Sequence, residues 1–390
     1  MSSLNTVLNE LLQIVPRYKF DSLVSEYKND RYVKYYTTWQ QFITLLYAQI
    51  KGKDSLREII TSLNTHKTSW YHMGLKDIHR STISDANRNR SYEVYEKLFY
   101  EILKKTKDIT PKHKFRFDNP MYSIDATVIN LCLSMFPWAR YRKTKGALKL
   151  HYQYDHSGAI PSFMVVTDAK QHEAKVVKQE EFPLLADSIV SVDRGYIDYK
   201  WLNSLNKKRV FFVTRTKSNI KYEVIGQQGV DGKKGLEFDQ VIRLTGYYTN
   251  KEYPEQLRLV GYKDPKTDKK LVFLTNNFKL SAFTITQIYK SRWQIELFFK
   301  WIKQNLKIKS FLGTNKNAVL SQIWVAMCYY LLLAYIKYQT KYGSSLTELT
   351  RIFSEAVFLK VSIIDLLSIH QNNLYKLHNL DKSEPQFTLF

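Results

Sequence analysis

Cysteine is nearly absent: Cys132 and Cys328 are the only two among 390 residues, and each sits in an apolar run. That excludes a disulfide framework and a cysteine-based zinc site, and both residues read as small core groups. Long hydrophobic runs are missing too. The longest, Ile323–Ile336 between Gln322 and Lys337, is short for a membrane span and fits a buried helix. Met1–Pro16 lacks the basic start and cleavage pattern of a signal peptide, and no internal repeat or low-complexity tract occurs. A cytoplasmic protein without membrane attachment is expected. Acid is scarce relative to base, with 36 Asp and Glu against 59 Lys and Arg and a net charge of +23. Such an excess calls for a polyanionic partner, and nucleic acid is the usual one.

Aromatic residues are plentiful, 14% of the chain with 28 Tyr. Interleaved basic and aromatic groups suit phosphate neutralisation combined with stacking, although drift toward Lys, Tyr, Asn and Ile contributes to the same composition. The length suggests two or three domains.

Apolar residues recur at helical spacing over Thr38–Ile50 and Ser55–Leu63, with Gly52 between them. Ser81 or Thr82 is placed to cap a further helix running through Ala86, Tyr92, Tyr95, Leu98 and Ile102. The basic start of that helix, with Arg88 and Arg90, has the look of a helix-turn-helix arrangement, and a plain helical bundle fits as well. Thr110–Lys114 reads as a linker. From Met121 the pattern becomes β-rich: Tyr122–Leu133, a hairpin of Ala147–Asp155 and Ile160–Thr167, then Ser188–Val192 and Arg209–Thr214 around a helix at Ile197–Leu205. These read as α/β with a mixed sheet. Residues 222–278 are polar and strand-like, a β insertion holding Phe238–Tyr247, Gln256–Tyr262 and Lys270–Thr275, and long helices follow to about residue 340.

The most informative stretch is Tyr289–Lys303, which contains neither Gly nor Pro. On a helix, Tyr289, Arg292, Glu296, Lys300 and Lys303 form one stripe, while Phe298, Trp301 and Ile302 lean toward a face that can be buried. A single carboxylate among cations and a hydroxyl suits a site where Glu296 holds a metal and its neighbours hold phosphate. The plain alternative is an exposed helix with i,i+4 ion pairs. Two further acids stand out. Asp125 lies within a strand, where a charge is disfavoured, and Asp193 ends an apolar strand, where sites form in open α/β sheets. Three carboxylates drawn together require a cation, and two Mg²⁺ (or Mn²⁺) ions would supply it while activating water or a 3′-hydroxyl. Asp198 is the main rival to Asp193. Lys145, Lys149 and His151 flank the hairpin beside Asp125 as phosphate contacts, or as ordinary solvated groups.

These blocks resemble the DDE transposases of bacterial insertion sequences. The cut-and-paste branch of that family carries Tyr-x2-Arg-x3-Glu-x6-Lys, matched without a gap by Tyr289, Arg292, Glu296 and Lys303. Ser123-Ile-Asp-Ala-Thr, Lys145-Gly-Ala-Leu-Lys-Leu-His151, Val192-Asp-Arg-Gly-Tyr196 and Phe211-Phe-Val-Thr-Arg215 are similar to its other blocks, and Ser81–Arg88 to its N-terminal one. The likeness covers about residues 20 to 340. It implies a ribonuclease-H-like catalytic core with a β-rich insertion before the last catalytic helix, two divalent metals on Asp125, Asp193 and Glu296, and double-stranded DNA as partner. The synaptic complex would hold a homodimer, and the protein would work at the bacterial nucleoid. DNA contacts would come from Tyr289, Arg292, Lys300, Lys303, Lys145, Lys149, His151, Arg194, Arg215, Arg88 and Arg90. The expected organisation is a helical DNA-binding domain (1–115), core (116–222), insertion (223–278), core with the Glu helix (279–345) and helical tail (346–390). One departure is Leu271, near where some relatives carry a Trp that stacks on a flipped base; Leu cannot do so. An inactive repressor or a nuclease without strand transfer are the rival readings.

Overall fold

The computed structural model describes residues 5–70, 73–142, 145–180 and 182–372, with the backbone alone at 141, 142, 145 and 233. The chain divides into two compact units, one of residues 1–110 and 303–390 and one of residues 111–302.

The first unit is helical: α1 (Val7–Ile14), α2 (Arg17–Glu26), α3 (Thr38–Ile50), α4 (Leu56–Asn64), α5 (Arg80–Asn89) and α6 (Glu93–Lys107), then α12 (Lys316–Gln339) and α13 (Leu346–Ala356) late in the chain. Thr37 and Gln40 form a capping box at the start of α3, and Ser55 caps α4 through the Glu58 N–H. Gly52, at φ +63°, turns the chain between them. The long helix α12 is apolar all round and is buried from Ala318 to Ala334, against α3, α5, α6 and α13. Its length and composition would allow a membrane crossing, so the short apolar run read from the sequence is part of a longer helix. What surrounds it here is protein. The expected boundary at residue 345 falls inside this unit because α12 packs on α3 and α6.

Two local expectations change. The helix expected to be capped by Ser81 or Thr82 starts two to three residues earlier, at Arg80, with His79 at the N-cap and, among the described residues, no side-chain cap. It also ends at Asn89, and α6 begins anew at Glu93, since Arg90 adopts an extended backbone.

The second unit is built on one ten-stranded mixed sheet: β1 (Met121–Leu131), β2 (Arg140–Arg142), β3 (Lys145–Asp155), β4 (Ile160–Asp168), β5 (Ile189–Val192), β6 (Phe211–Arg215), β7 (Tyr222–Gln228), β8 (Leu236–Leu244), β9 (Leu257–Lys263) and β10 (Lys270–Thr275). Its order is β2-β3-β1-β5-β6-β10-β9-β8-β7, and β4 also pairs with β3, along Leu148–Asp155. β5 runs parallel to β1 and to β6, and every other pairing is antiparallel. The β-rich stretch thus extends the sheet. Strand alternation feeds two cores: Ile124, Val190, Val192 and Phe212 join one, and Met121, Ile189 and Val213 the other. Helices α7 (Glu173–Gln179), α8 (Tyr199–Lys207) and α9 (Tyr247–Glu252) supply or flank the first core, and α10 (Ala282–Ser291) the second. Helix α11 (Trp293–Asn305) follows. Cys328 is buried as expected, but Cys132 is exposed, because β1 ends one residue before it and the chain turns outward.

Candidate active site

Strand register brings the first two acids together. Ile124 of β1 stands opposite Val192 of β5 in a parallel pair, so the next residues, Asp125 within β1 and Asp193 just past the carboxyl end of β5, come side by side. Asp125 is still inside β1 and only 19% of its side chain is exposed. Asp193 begins a single 3₁₀ turn, Arg194–Tyr196, and its side chain caps nothing. Asp198, by contrast, accepts the Trp201 N–H at 3.0 Å as the N-cap of α8 and pairs with Lys178 at 2.5 Å.

The third acid arrives on α11. α10 and α11 are joined through Arg292, whose backbone is helical (φ −51°, ψ −31°). The hydrogen bonds tighten there to i→i−3 spacing, Arg292 N–H to Tyr289 O and Ile295 N–H to Arg292 O, both 3.1 Å. The stripe expected on one helix therefore lies on two, with Arg292 at the joint. Arg292 Nη1 donates to Asp125 Oδ2 at 2.8 Å and Nη2 to Glu296 Oε1 at 2.7 Å. Its Nε is buried and has no acceptor among the described residues. The Tyr289 hydroxyl donates to Asp193 Oδ1 at 3.3 Å.

Electrostatics follow from this packing. Burial pushes the Asp125 carboxyl up to about 6; Arg292 and the Ala126 N–H pull it down, and Asp193 and Glu296 add to the rise. Burial opposes the charge on Arg292, yet Asp125, Tyr289 and Glu296 outweigh it and hold the guanidinium above its ordinary value. Burial also raises the Tyr289 phenol.

A hydrogen-bonded chain lies beneath the acids. Ser191 of β5 meets Ser123 of β1 at 2.7 Å, Ser123 meets His156 Nε2 at 2.7 Å, and His156 Nδ1 meets the Gln294 side chain of α11 at 3.2 Å. Burial lowers His156 to about 4, so it is neutral and its two nitrogens play one donor and one acceptor role. This relay fastens the helix bearing Glu296 to the two strands bearing the aspartates. Sequence gave no sign of it, because its members lie on four separate segments.

Other candidates are distributed less evenly. Lys149 is largely buried and donates to Glu173 Oε1 at 2.9 Å and Gln171 O at 3.0 Å. His151 is fully buried against the Thr167 hydroxyl at 3.0 Å, and burial lowers it to about 4. These two support the hairpin: Lys149 is engaged by Glu173 and Gln171, and His151 is buried away from any phosphate. Lys145 opens β3, and its side chain lies outside the described residues. Arg194 and Lys300 are exposed, Arg215 is half-buried, and Lys303 falls in the first unit, where burial and then Lys309 lower its ammonium. Arg88 is exposed on α5, but Arg90 is buried and donates to Tyr36 O and to Gln41 Oε1 at 3.2 Å, so it is a structural group. Leu271 is half-buried on β10 opposite Tyr262.

Among the described residues no three His, Cys, Asp or Glu side chains stand close enough to hold one metal ion. The donors nevertheless fit a hard divalent cation in kind, being carboxylate oxygens beside a hydroxyl. What separates Asp125 from Glu296 is a guanidinium, itself a cation with one buried donor that has no acceptor among the described residues.

The chain is similar to proteins of a known family. The family model described as a transposase DDE domain matches residues 116–332, and a domain of unknown function, DUF4372, matches residues 3–76. A Sinorhizobium fredii protein named as transposase y4zB is 34% identical over 255 residues, covering 64% of this chain and 69% of that one. A Geobacillus stearothermophilus protein named as a transposase for insertion sequence element IS5377 is 28% identical over 278 residues, 69% of this chain and 70% of its own. A Synechocystis protein named as a transposase for element IS4SA is 25% identical over 296 residues, 74% and 80% of the two chains.

Proposed function

The chain belongs to the transposase DDE-domain family, and from that premise we propose that it binds the terminal inverted repeats of an insertion sequence, cleaves phosphodiester bonds there and joins the freed 3′ ends to target DNA. The observation that carries this reading is the pairing that sets Asp125, within β1, beside Asp193, at the end of β5, with Glu296 tied to Asp125 through Arg292. Two divalent cations, Mg²⁺ or Mn²⁺, held by Asp125, Asp193 and Glu296, would activate water or a 3′-hydroxyl and stabilise the leaving oxygen. Arg292 would exchange its carboxylate partners for a bidentate phosphate contact, and Tyr289 would keep Asp193 oriented while reaching the same strand. Lys303, Lys300, Arg194 and Arg215 would neutralise flanking phosphates. The core is ribonuclease-H-like in this reading, supported by the run β4-β3-β1-β5-β6, two antiparallel hairpin partners followed by two parallel strands. Residues 1–115 would recognise the ends, two copies would act in one synaptic complex, and the protein would work in the cytoplasm at the nucleoid.

The test uses the purified full chain and duplexes made from the DNA flanking its reading frame. With Mg²⁺, nicking at the end followed by joining of a pre-cleaved 3′ end to a second duplex is expected. Binding without nicking would mean a repressor, and hydrolysis without joining a nuclease. Asp193 and Asp198 separate in the same assay. Asp198→Ala should cost about 1 kcal/mol of stability through the lost cap and leave cleavage intact, whereas Asp193→Asn should remove cleavage. The reverse pattern would exchange the two assignments.

A further inference from the structure

The segment from Tyr27 to Tyr36, between α2 and α3, forms neither helix nor strand, yet it is pinned along its length. The buried Asn29 donates to Ser91 O at 3.0 Å and accepts from Ser91 N–H at 2.9 Å. Asp30 accepts from both Thr38 N–H and the Thr38 hydroxyl at 2.7 Å, and Arg90 holds the Tyr36 carbonyl. Against that rigid frame Tyr32 and Tyr35 stand 86% and 73% exposed. Lys28 and Tyr32 also take left-handed backbone conformations, at φ 55° and 63°. For side chains bearing a Cβ each such residue costs about 1–2 kcal/mol, and strain of this kind gathers where a loop is shaped for a ligand. Two large rings are thus held in water by a strained, hydrogen-bonded loop and are not buried in the core.

The loop borders a groove of about 990 Å³ whose other wall runs along α5, from His79 to Arg90. Exposed Lys28, Arg31, Lys34 and Lys76 line it. Of the facing acids, Asp77 is paired with Lys67 at 2.6 Å, and Asp85 is the other. The Arg31 guanidinium lies over the Tyr32 ring, 4.9 Å from its centre. Among the described residues no side chain caps the start of α5, and the first N–H groups of a helix have no acceptor within it. Resting on the reading that the chain acts on DNA, we infer that this groove binds single-stranded DNA, with an unstacked base on Tyr32 or Tyr35 and the adjoining phosphates on Lys28, Arg31, Lys34 and Lys76. Duplex DNA hides the faces of its bases, so exposed rings gain little from it, whereas every unpaired base offers a face to stack on. Strand cleavage at an element end leaves a strand terminus, and terminal bases can unpair where internal ones stay stacked.

Fluorescence anisotropy of the full chain without metal, using a labelled oligothymidylate of about twelve nucleotides and a labelled duplex, tests this. Replacing both rings (Tyr32→Ala with Tyr35→Ala) should weaken oligothymidylate binding about tenfold or more, the worth of one lost stacking contact, and leave duplex binding and melting temperature unchanged. The double Phe variant should bind as wild type does. An alanine variant that binds the oligothymidylate normally, or loses both probes equally, overturns the inference. Wild-type protein that binds the duplex but not the oligothymidylate overturns the groove alone. Wild-type protein that binds neither overturns the DNA reading itself.

Discussion

Asp125→Asn is expected to abolish cleavage while leaving the protein as stable as before, or more so. The substitution keeps the volume and removes one metal-ligand charge. A bound cation stabilises developing charge by several kcal/mol, and each 1.36 kcal/mol is a factor of ten, so the cleavage rate should fall by about 10³-fold. Stability should move the other way, and the sign follows from burial. The Asp125 carboxyl is raised from its ordinary 3.8 to about 6, chiefly by desolvation. The folded protein therefore prefers the protonated acid. Stability from this group is complete below its unfolded value near 3.8 and is lost as pH rises through about 6. Asn mimics the neutral acid and has nothing to lose. The stability of the variant minus that of wild type should grow between about pH 4 and pH 7, as urea unfolding at several pH values would report. A variant that cleaves at the wild-type rate would remove Asp125 from the catalytic set. A stability difference that is flat with pH would mean the carboxyl is better compensated than its burial implies.

How much of this was legible in the sequence depends on the range of the interaction. Alternation of apolar residues is local, so β1, β3, β4, β5, β6, β9 and β10 could be drawn within about two residues, whereas β8 was carried three residues too far, to Tyr247, where α9 begins. Asp125 in a strand and Asp193 at a strand end were visible as local oddities. Their adjacency was not, since it comes from the parallel pairing of segments 68 residues apart, as the Ser123–Ser191 contact also is. The misreadings share one cause. Arg90 looked like a phosphate ligand because its acceptors, Gln41 Oε1 and Tyr36 O, lie 49 and 54 residues away. Lys149 looked solvated because Glu173 is 24 residues on. Basic residues advertise charge to a reader of sequence, and only packing says whether that charge is already matched.

Arg292 is where this distinction has the largest consequence. On an exposed helix its i,i+4 pair with Glu296 would be worth about 0–1 kcal/mol, and Lys would replace it without effect. Here the side chain is 12% exposed and bridges two carboxylates on separate elements, β1 and α11. Breaking such a buried pair by truncation costs about 3–5 kcal/mol, because a charge is left unmatched. Arg292→Ala should therefore lower the melting temperature of the DNA-free protein by several degrees and abolish strand transfer. Arg292→Lys should keep part of the stability yet lose most of the transfer, as one ammonium cannot make the two parallel bonds that a phosphate takes from a guanidinium. A further measurement separates a structural bridge from a stand-in for the cation. If the guanidinium occupies the place a divalent ion would take between Asp125 and Glu296, its removal opens that place. Added Mn²⁺ should then raise the melting temperature of Arg292→Ala well beyond its effect on wild type, by the ordinary linkage of ligand to the folded state. An equal response in the two proteins would leave Arg292 a phosphate clamp that does not compete with metal. Unchanged strand transfer in Arg292→Lys would remove the clamp as well, leaving only an internal ion pair.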